Sequence, residues 1–275
     1  MNKKLLWILV PLALFGVIAF DSFKIFHARR TLGQYTLLSQ LDKEKIEGLK
    51  TQLNQKFTFL AKGSSHAAFE SEDGTLVIKL FLNHPITSDS SWRRFVPGLT
   101  SLSKQRKYLK RRIEQLGGCI NAFELIPEKA GLVYYHFAPT DVFNQKIELV
   151  DERGGTLNVN LDTAEYYVQK KAILSGTLLR DASLEDAKKA LTRLYDFTLQ
   201  NYMNGIKMVD LQLESNFGFL DERPIRIDVE HITCNHSWKK RYQAHLNEQL
   251  ENFQIWLEQN RPELIEHLQL LIRQT

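Results

Sequence analysis

The sequence has little of what would mark a disulfide-stapled, repetitive or disordered protein. Only two of its 275 residues are cysteines, Cys119 and Cys234. Two cysteines exclude a disulfide framework, although a single bridge and the redox compartment stay open. Neither a low-complexity tract nor a repeat of fixed period is present. With 43% hydrophobic and 25% charged residues, the chain has the composition of a globular protein that can bury a sizeable core.

The chain also lacks a strong excess of charge. Its formal net charge is +4, so charge alone does not indicate nucleic acid as a partner. A run of cations nevertheless shares one predicted helical surface: Lys104, Arg106, Lys107, Lys110, Arg111 and Arg112. This basic cluster, residues 104–112, is either a solvated helix face or a contact for anionic lipid head groups. Nucleic acid or an acidic partner is a third alternative.

Residues 5–20 form an apolar run without a charge, preceded by Lys3 and Lys4 and closed by Asp21. The run is shorter than the roughly 20 residues that span a bilayer comfortably, and it lacks a clean Ala-x-Ala cleavage site. We therefore expect residues 1–30 to contain a membrane anchor, a single N-terminal pass with the body in the cytoplasm. Export after signal cleavage near Ala19 and a buried core helix are the alternatives.

The next part of the chain changes from helical to strand-like periodicity. Residues 31–55 repeat leucines and isoleucine at loosely helical spacing, which predicts an amphipathic connector packed on the domain. A meander of three antiparallel strands is then predicted at 57–60, 67–70 and 75–82, with a turn at 71–74. A helix over 101–116 is expected to end at Gly117 and Gly118. Further strands are predicted at 119–123, 131–137, 147–150 and 156–161.

The second half of the chain is predominantly helical in pattern. Ser183 and Asp186 have the spacing of a capping box before an apolar helical face. A long amphipathic helix is predicted over 237–260, and Pro262 suits the first turn of a closing helix. Strands first and helices second predict an α+β protein with two segregated layers or lobes.

Lys79 is the first residue with a potential chemical role. It lies between Ile78 and Leu80 in the predicted third strand, just after the Gly- and Ser-containing hairpin turn at 71–74. A lysine within an apolar strand points where few lysines are found, and there it needs an anionic partner. The alternative is a surface lysine on a half-exposed strand.

A second set of candidate residues lies in the segment from Met208 to Glu230. Asp210 is followed by Asn216, and a predicted hairpin then leads to Asp228. Together with Lys79, this order resembles the protein-kinase-like superfamily, whose members have an Asp on a loop, an Asn shortly after it, and a hairpin ending in a metal-binding Asp. The resemblance covers about residues 57–233.

The resemblance implies a two-lobed fold, with a small antiparallel-sheet N-lobe over about 56–137 and a mainly helical C-lobe over about 138–275. It also implies ATP and Mg²⁺ as cofactors, and a protein or small molecule as phosphate acceptor. Its implied site residues are Gly63, Ser64, Ser65 and Lys79 for the nucleotide, Asn216 and Asp228 for Mg²⁺, and Asp210 to orient the acceptor hydroxyl. Such positioning and charge neutralisation are the main requirements of phosphoryl transfer.

Several departures from the family pattern favour an atypical or degenerate member. Asp210 is one residue further from Asn216 than is usual, and Val229 and Glu230 replace the usual Phe-Gly. Glu114 comes too late in its helix to be the usual partner of the strand lysine. The implied function is therefore either an atypical kinase or a pseudokinase scaffold. A membrane-tethered interaction protein without nucleotide binding is an alternative from another class.

A different constellation surrounds the end of the resemblance. His231, Cys234 and His236 lie close in sequence, with Asp228 nearby. These residue types bind zinc, but their spacing is not one of the common finger patterns. The alternative is a plain loop that leaves the last strand.

Overall fold

The computed structural model describes residues 43–63, 65–81, 113–137, 139–208, 210, 212–234 and 242–274. The predicted membrane segment at 5–20, the basic cluster at 104–112, Ser64 and His236 lie outside these ranges. Within them, no helix is both long and apolar enough to cross a bilayer. The membrane segment therefore stays a prediction.

The described chain contains both helices and strands. The helices are α1 (Lys43–Leu53), α2 (113–125), α3 (Pro127–Ala130), α4 (Ser175–Asp181), α5 (Leu184–Met203), α6 (Tyr242–Asn260) and α7 (Ile265–Arg273), with a 3₁₀ turn at Pro262–Leu264. The strands are β1 (Phe57–Lys62), β2 (His66–Ser71), β3 (Leu76–Phe81), β4 (Leu132–His136), β5 (Lys146–Val150), β6 (Thr156–Asn160), β7 (Tyr166–Lys170), β8 (Ile173–Leu174), β9 (Ile206–Met208), β10 (Phe217–Leu220), β11 (Arg223–Arg226) and β12 (Ile232–Cys234).

A seven-stranded sheet in the order β4-β7-β3-β2-β1-β5-β6 forms the first layer. The predicted meander β1–β2–β3 is confirmed, and Gly74 takes the left-handed conformation (φ 70°) that its turn requires. The sheet is mixed, not purely antiparallel as predicted, because β1 and β5 run parallel. It also extends to Lys170, past the N-lobe boundary expected near residue 137, since β5, β6 and the unpredicted β7 belong to it.

The two faces of this sheet bury different groups. Cross-strand partners share a face, and Lys79 pairs with both Ala68 and Tyr167, so these three side chains lie on the inner face. The outer face carries buried apolar and aromatic side chains from β3 and β7: Leu76, Ile78, Tyr166 and Val168. Leu49 and Leu53 of α1 join that outer core. Of the connector predicted over residues 31–55, the described part at 43–53 is thus a helix that packs on the sheet.

Helices and two short sheets form the second layer. The Ser183 side chain caps α5 by accepting a hydrogen bond from the Asp186 N–H, as the capping box predicts. Hairpin β10–β11 pairs with β8, and β12 pairs with β9. Pro262 begins the turn before α7, in the first-turn position expected for it.

The predicted strand at 119–123 is wrong, because these residues continue α2 through Gly117 and Gly118. Cys119 and Ala122 are fully buried in the helical core. A Cβ atom on Gly118 would lie 2.0 Å from the carbonyl oxygen of Glu230. Glycine therefore serves close packing of α2 against the main chain here, where the sequence suggested a helix end. Tertiary packing has outweighed the low helix propensity of two glycines.

Candidate functional site

Lys79 projects from the middle of β3 towards the helical layer. Its side chain is only 5% exposed, and its Nζ donates a hydrogen bond of 2.9 Å to the main-chain oxygen of Ile227. The same Nζ lies 5.3 Å from the centre of the Tyr167 ring. Burial lowers the pKa of Lys79 to about 8, while the carboxylates of Asp228 and Glu230 oppose the shift. Lys79 thus faces the segment that carries Asp228, as predicted.

Asn216 joins the loop after β9 to the segment after β11. Its main-chain oxygen accepts hydrogen bonds from the N–H groups of Ile227 (2.9 Å) and Asp228 (3.4 Å). Its Nδ2 donates to the main-chain oxygen of Asp210 at 3.0 Å. Asn216 therefore lies between Asp210 and Asp228, and all three predicted residues meet at one place.

Asp210 has a conformation that few residues other than glycine adopt. Its φ is 61°, in the left-handed region where Asp and Asn are tolerated best, and its side chain is exposed. Arg226, almost fully buried, holds the loop by donating to the main-chain oxygen of Asp210 (2.8 Å) and to that of Asp228. The Arg226 guanidinium also lies 4.7 Å from the centre of the Phe217 ring. This arginine fixes the main chain of both aspartates and leaves their carboxylates for other partners.

Glu230 is a buried carboxylate that the sequence resemblance does not assign. It is 3% exposed, and its Oε1 lies 2.6 Å from His66 Nδ1 and accepts a hydrogen bond of 2.9 Å from Ser65 Oγ. The Glu230 N–H in turn donates to Asp228 Oδ1 at 3.3 Å. Glu230 therefore connects the β1–β2 loop to the segment that begins at Asp228.

The predicted phosphate-covering loop is a tight turn. The Gly63 N–H donates to the His66 carbonyl oxygen at 2.9 Å, closing the turn between β1 and β2. Ser65 points to Glu230, whereas Ser64 lies outside the described residues. The described part of the loop therefore contacts Glu230, two residues after Asp228.

The residues present suit a hard divalent cation. Because the Asn216 amide nitrogen is turned to Asp210, its Oδ1 is the atom suited to coordination. Asp228 adds a half-buried carboxylate whose Oδ1 accepts a long bond from the Glu230 N–H. Mg²⁺ is commonly held by one or two such protein oxygens together with waters and substrate phosphates. The oxygen donor set thus fits Mg²⁺ with a nucleotide.

His66, Arg226 and Glu230 were missed because each acts through a distant partner. The bond between His66 and Glu230 joins residues 164 positions apart. A weak signal existed for Glu230, since it is a carboxylate two residues after Asp228 and is set among apolar residues. The alternation of polar and apolar residues in β11 did not indicate that Arg226 is buried.

The zinc alternative finds no support in the part of the chain that the structure covers. Within the described ranges, no three His, Cys, Asp or Glu side chains come together as metal ligands would. Cys119 is buried and Cys234 is exposed, and the two are not joined by a disulfide. His236, the third proposed ligand, is not among the described residues.

No protein-family model matches the chain, and no curated protein matches it. Among solved structures, it is similar to a crystal structure of WbdD, with 14% identity and a TM-score of 0.40, over 78% of this chain and 45% of that one. It is also similar to Rv3197 from Mycobacterium tuberculosis in complex with erythromycin, with 13% identity and a TM-score of 0.33, over 78% of this chain and 57% of that one. A ternary complex of streptomycin, ATP and APH(2″)-IIa matches with 12% identity and a TM-score of 0.25, over 74% of this chain and 75% of that one.

These likenesses are remote, and this chain spans less than half of the WbdD chain. The chain's own arrangement is more informative. A buried lysine on the third strand faces an Asp that follows a hairpin, and an Asn on the preceding loop contacts the main chain of that Asp. This arrangement agrees with the resemblance to the protein-kinase-like superfamily that the sequence predicts. The chemical role of each site residue stays a prediction.

Proposed function

We propose that this kinase-like chain binds ATP with Mg²⁺ between β3 and the β10–β11 hairpin and transfers a phosphoryl group to a hydroxyl acceptor. One observation carries the proposal. Lys79, Asn216 and Asp228 come from three separate elements, and both Lys79 and Asn216 hydrogen-bond to the main chain at Ile227–Asp228. Phosphoryl transfer needs a cation, an oxygen-rich metal site and a positioned acceptor, and this cluster provides groups for each.

Each residue has a role that its position supports. The Lys79 ammonium would bind phosphate oxygens, with Gly63, Ser64 and Ser65 covering them from the loop. Asn216 and Asp228 would hold Mg²⁺, which supplies neutralisation of the charge that develops on the phosphates. The exposed carboxylate of Asp210 would orient the acceptor hydroxyl and take its proton.

The proposals for location and acceptor rest on the sequence alone. We propose that residues 5–20 anchor the chain in a membrane and that residues 104–112 contact anionic lipids, with the body in the cytoplasm. The acceptor is a protein or small molecule whose chemistry stays open. Sedimentation with uncharged vesicles, which the basic cluster does not attract, tests the anchor. The full-length chain should sediment with these vesicles, and a chain that starts at residue 31 should not.

A pseudokinase scaffold is the second candidate, and Asp210 provides the specific reason. Its spacing from Asn216 differs from the family pattern, and within the described residues no side chain holds its carboxylate. Nucleotide binding without turnover would select this candidate. Failure to bind any nucleotide would select a membrane-tethered interaction protein instead.

The decisive experiment measures the thermal midpoint of the full chain with and without ATP and Mg²⁺. Binding to the folded state must raise the midpoint, by an amount that grows with nucleotide concentration. In the variant Asp228→Ala the Mg²⁺-dependent rise should vanish, because a charged oxygen ligand has been removed. Glu222→Ala, an exposed carboxylate change in the same hairpin, should keep the rise. A wild-type midpoint that stays constant with ATP and either Mg²⁺ or Mn²⁺ would refute the proposal.

A further inference from the structure

Donor groups expected to bind phosphate are already bonded within the protein. Lys79 Nζ donates to the oxygen of Ile227, and Ser65 Oγ donates to Glu230. His66, beside Ser65 at the start of β2, lies 2.6 Å from the same carboxylate oxygen. All of these acceptors belong to residues 227–230. The site thus satisfies its own cationic and hydroxyl groups with oxygens from one segment.

Glu230 differs from the other acceptors because it is an anion. A buried carboxylate that accepts bonds from a hydroxyl and an imidazole, close enough to Lys79 to oppose its pKa shift, has the environment that a phosphate group would seek. Asp228, by contrast, is only half-buried. Because Ser65 and His66 both contact Glu230, the carboxylate beneath the β1–β2 loop is that of Glu230.

The main chain that carries Glu230 is held in place. Helix α2 packs so closely that Gly118 leaves no room for a Cβ beside the Glu230 carbonyl. Asn121, also on α2, donates from Nδ2 to the Ile232 oxygen at 2.8 Å. Helix α2 thus holds the main chain on both sides of His231, while Ser65 and His66 hold the Glu230 carboxylate. A nucleotide phosphate must compete with that carboxylate for these partners.

We propose that Glu230 is an internal anion that occupies the position of a nucleotide phosphate beneath the β1–β2 loop and so weakens nucleotide binding. The proposal rests on the proposed function. A phosphate that enters must take Ser65 and His66 from Glu230 and must also approach a like charge. Neutralising Glu230 removes the repulsion between its carboxylate and the phosphate, and it weakens the hydrogen bonds of Glu230 to Ser65 and His66. Lys79 and the metal ligands stay in place.

The test compares wild type with Glu230→Gln, which keeps the size of the side chain and loses its charge. Titration calorimetry with Mg-ATP should show about tenfold tighter binding by the variant, the scale of one hydrogen bond to a charged group. Without nucleotide, amide hydrogen exchange over residues 63–68 should become faster. Glu124→Gln, an exposed change on α2, is the matched control and should alter neither measurement.

Two variants and two measurements separate the possible failures. Ser65→Ala should also speed exchange over residues 63–68, because it removes one donor to Glu230. Weaker or unchanged ATP binding by Glu230→Gln, with wild type binding, would overturn the role of Glu230 and leave the proposed function intact. If neither wild type nor any variant binds Mg-ATP, the proposed function and the role of Glu230 are both refuted. The exchange data would then report only whether Ser65 and His66 are bonded to Glu230.

Discussion

The two faces of the seven-stranded sheet differ in character, although they are built from alternate residues of the same strands. The outer face buries aliphatic and aromatic groups such as Ile78 and Val168 beneath α1 and the β5–β6 region. The inner face packs aromatic side chains such as Tyr167 against the helical layer, and it also carries the buried Lys79 and the half-buried His66 opposite Arg226 and Glu230. Burying apolar area stabilises a fold, whereas burying charges costs free energy that only good partners offset. The outer face therefore supports the fold, and the inner face carries the candidate chemistry.

The largest effect should separate these two faces. Leu53→Ala, on α1 and fully buried in the outer core, should lower the free energy of unfolding by about 2–5 kcal/mol because it leaves a cavity. Lys79→Met on the inner face should change stability little or raise it, since it removes a buried charge, yet abolish ATP binding. Urea unfolding and calorimetry measure the two quantities.

The control for this comparison is Gln52→Ala, an exposed change on α1, which should leave both quantities unchanged. Equal loss of stability from Leu53→Ala and Lys79→Met would show that the inner charges are structural. The contrast between the faces would then fail.

The next largest effect should lie within the inner site. Asp210→Asn keeps the left-handed conformation and the main-chain oxygen that binds Asn216 and Arg226, but it removes the proton acceptor. Phosphate transfer should fall by about a hundredfold or more, with ATP affinity nearly unchanged. Single-turnover transfer and calorimetry check this pair of outcomes. A parallel loss of affinity would indicate that Asp210 binds the nucleotide or metal.

The smallest effect concerns pH and again distinguishes the inner face. Because burial lowers the pKa of Lys79 to about 8, the free protein loses this charge as pH rises through 8. Nucleotide affinity should then fall by up to about tenfold per pH unit. Folding stability should change in the opposite sense: between pH 8 and the ordinary lysine pKa the unfolded chain binds more protons, so this group makes stability rise with pH.

Titrations of ATP affinity from pH 7 to 9.5 test the expected dependence. Lys79→Arg, which stays protonated throughout, should remove it if the variant binds ATP. A dependence that persists in this variant would have to come from another group.

The sequence predicted those parts of the fold whose signals are local. Strands β1 to β3 follow from alternating apolar residues and the Gly74 turn, and hairpin β10–β11 follows in the same way. The segment 119–123 was misassigned because a short apolar run fits a strand or a buried helix equally well. Strand β7 was missed although its residues are rich in Tyr and Val.

The candidate site was predictable only where the family order of residues applied. Lys79, Asn216 and Asp228 could be named because their types and order match a known pattern. Glu230 could not be, since its partners Ser65 and His66 follow from tertiary structure alone. The same holds for Arg226, whose bonds to main-chain oxygens leave no trace in the composition or spacing of the sequence.

The contact between α2 and Glu230 has a consequence for which substitutions the chain can accept. Gly117 and Gly118 are neighbours in one helix, yet a Cβ on Gly117 would meet nothing within 4 Å, whereas one on Gly118 would collide with the Glu230 carbonyl. In a library randomised at both positions and selected for folded protein, position 117 should therefore accept alanine and larger residues. Position 118 should return glycine almost alone, so two adjacent glycines of one helix should differ strongly in their tolerance to substitution.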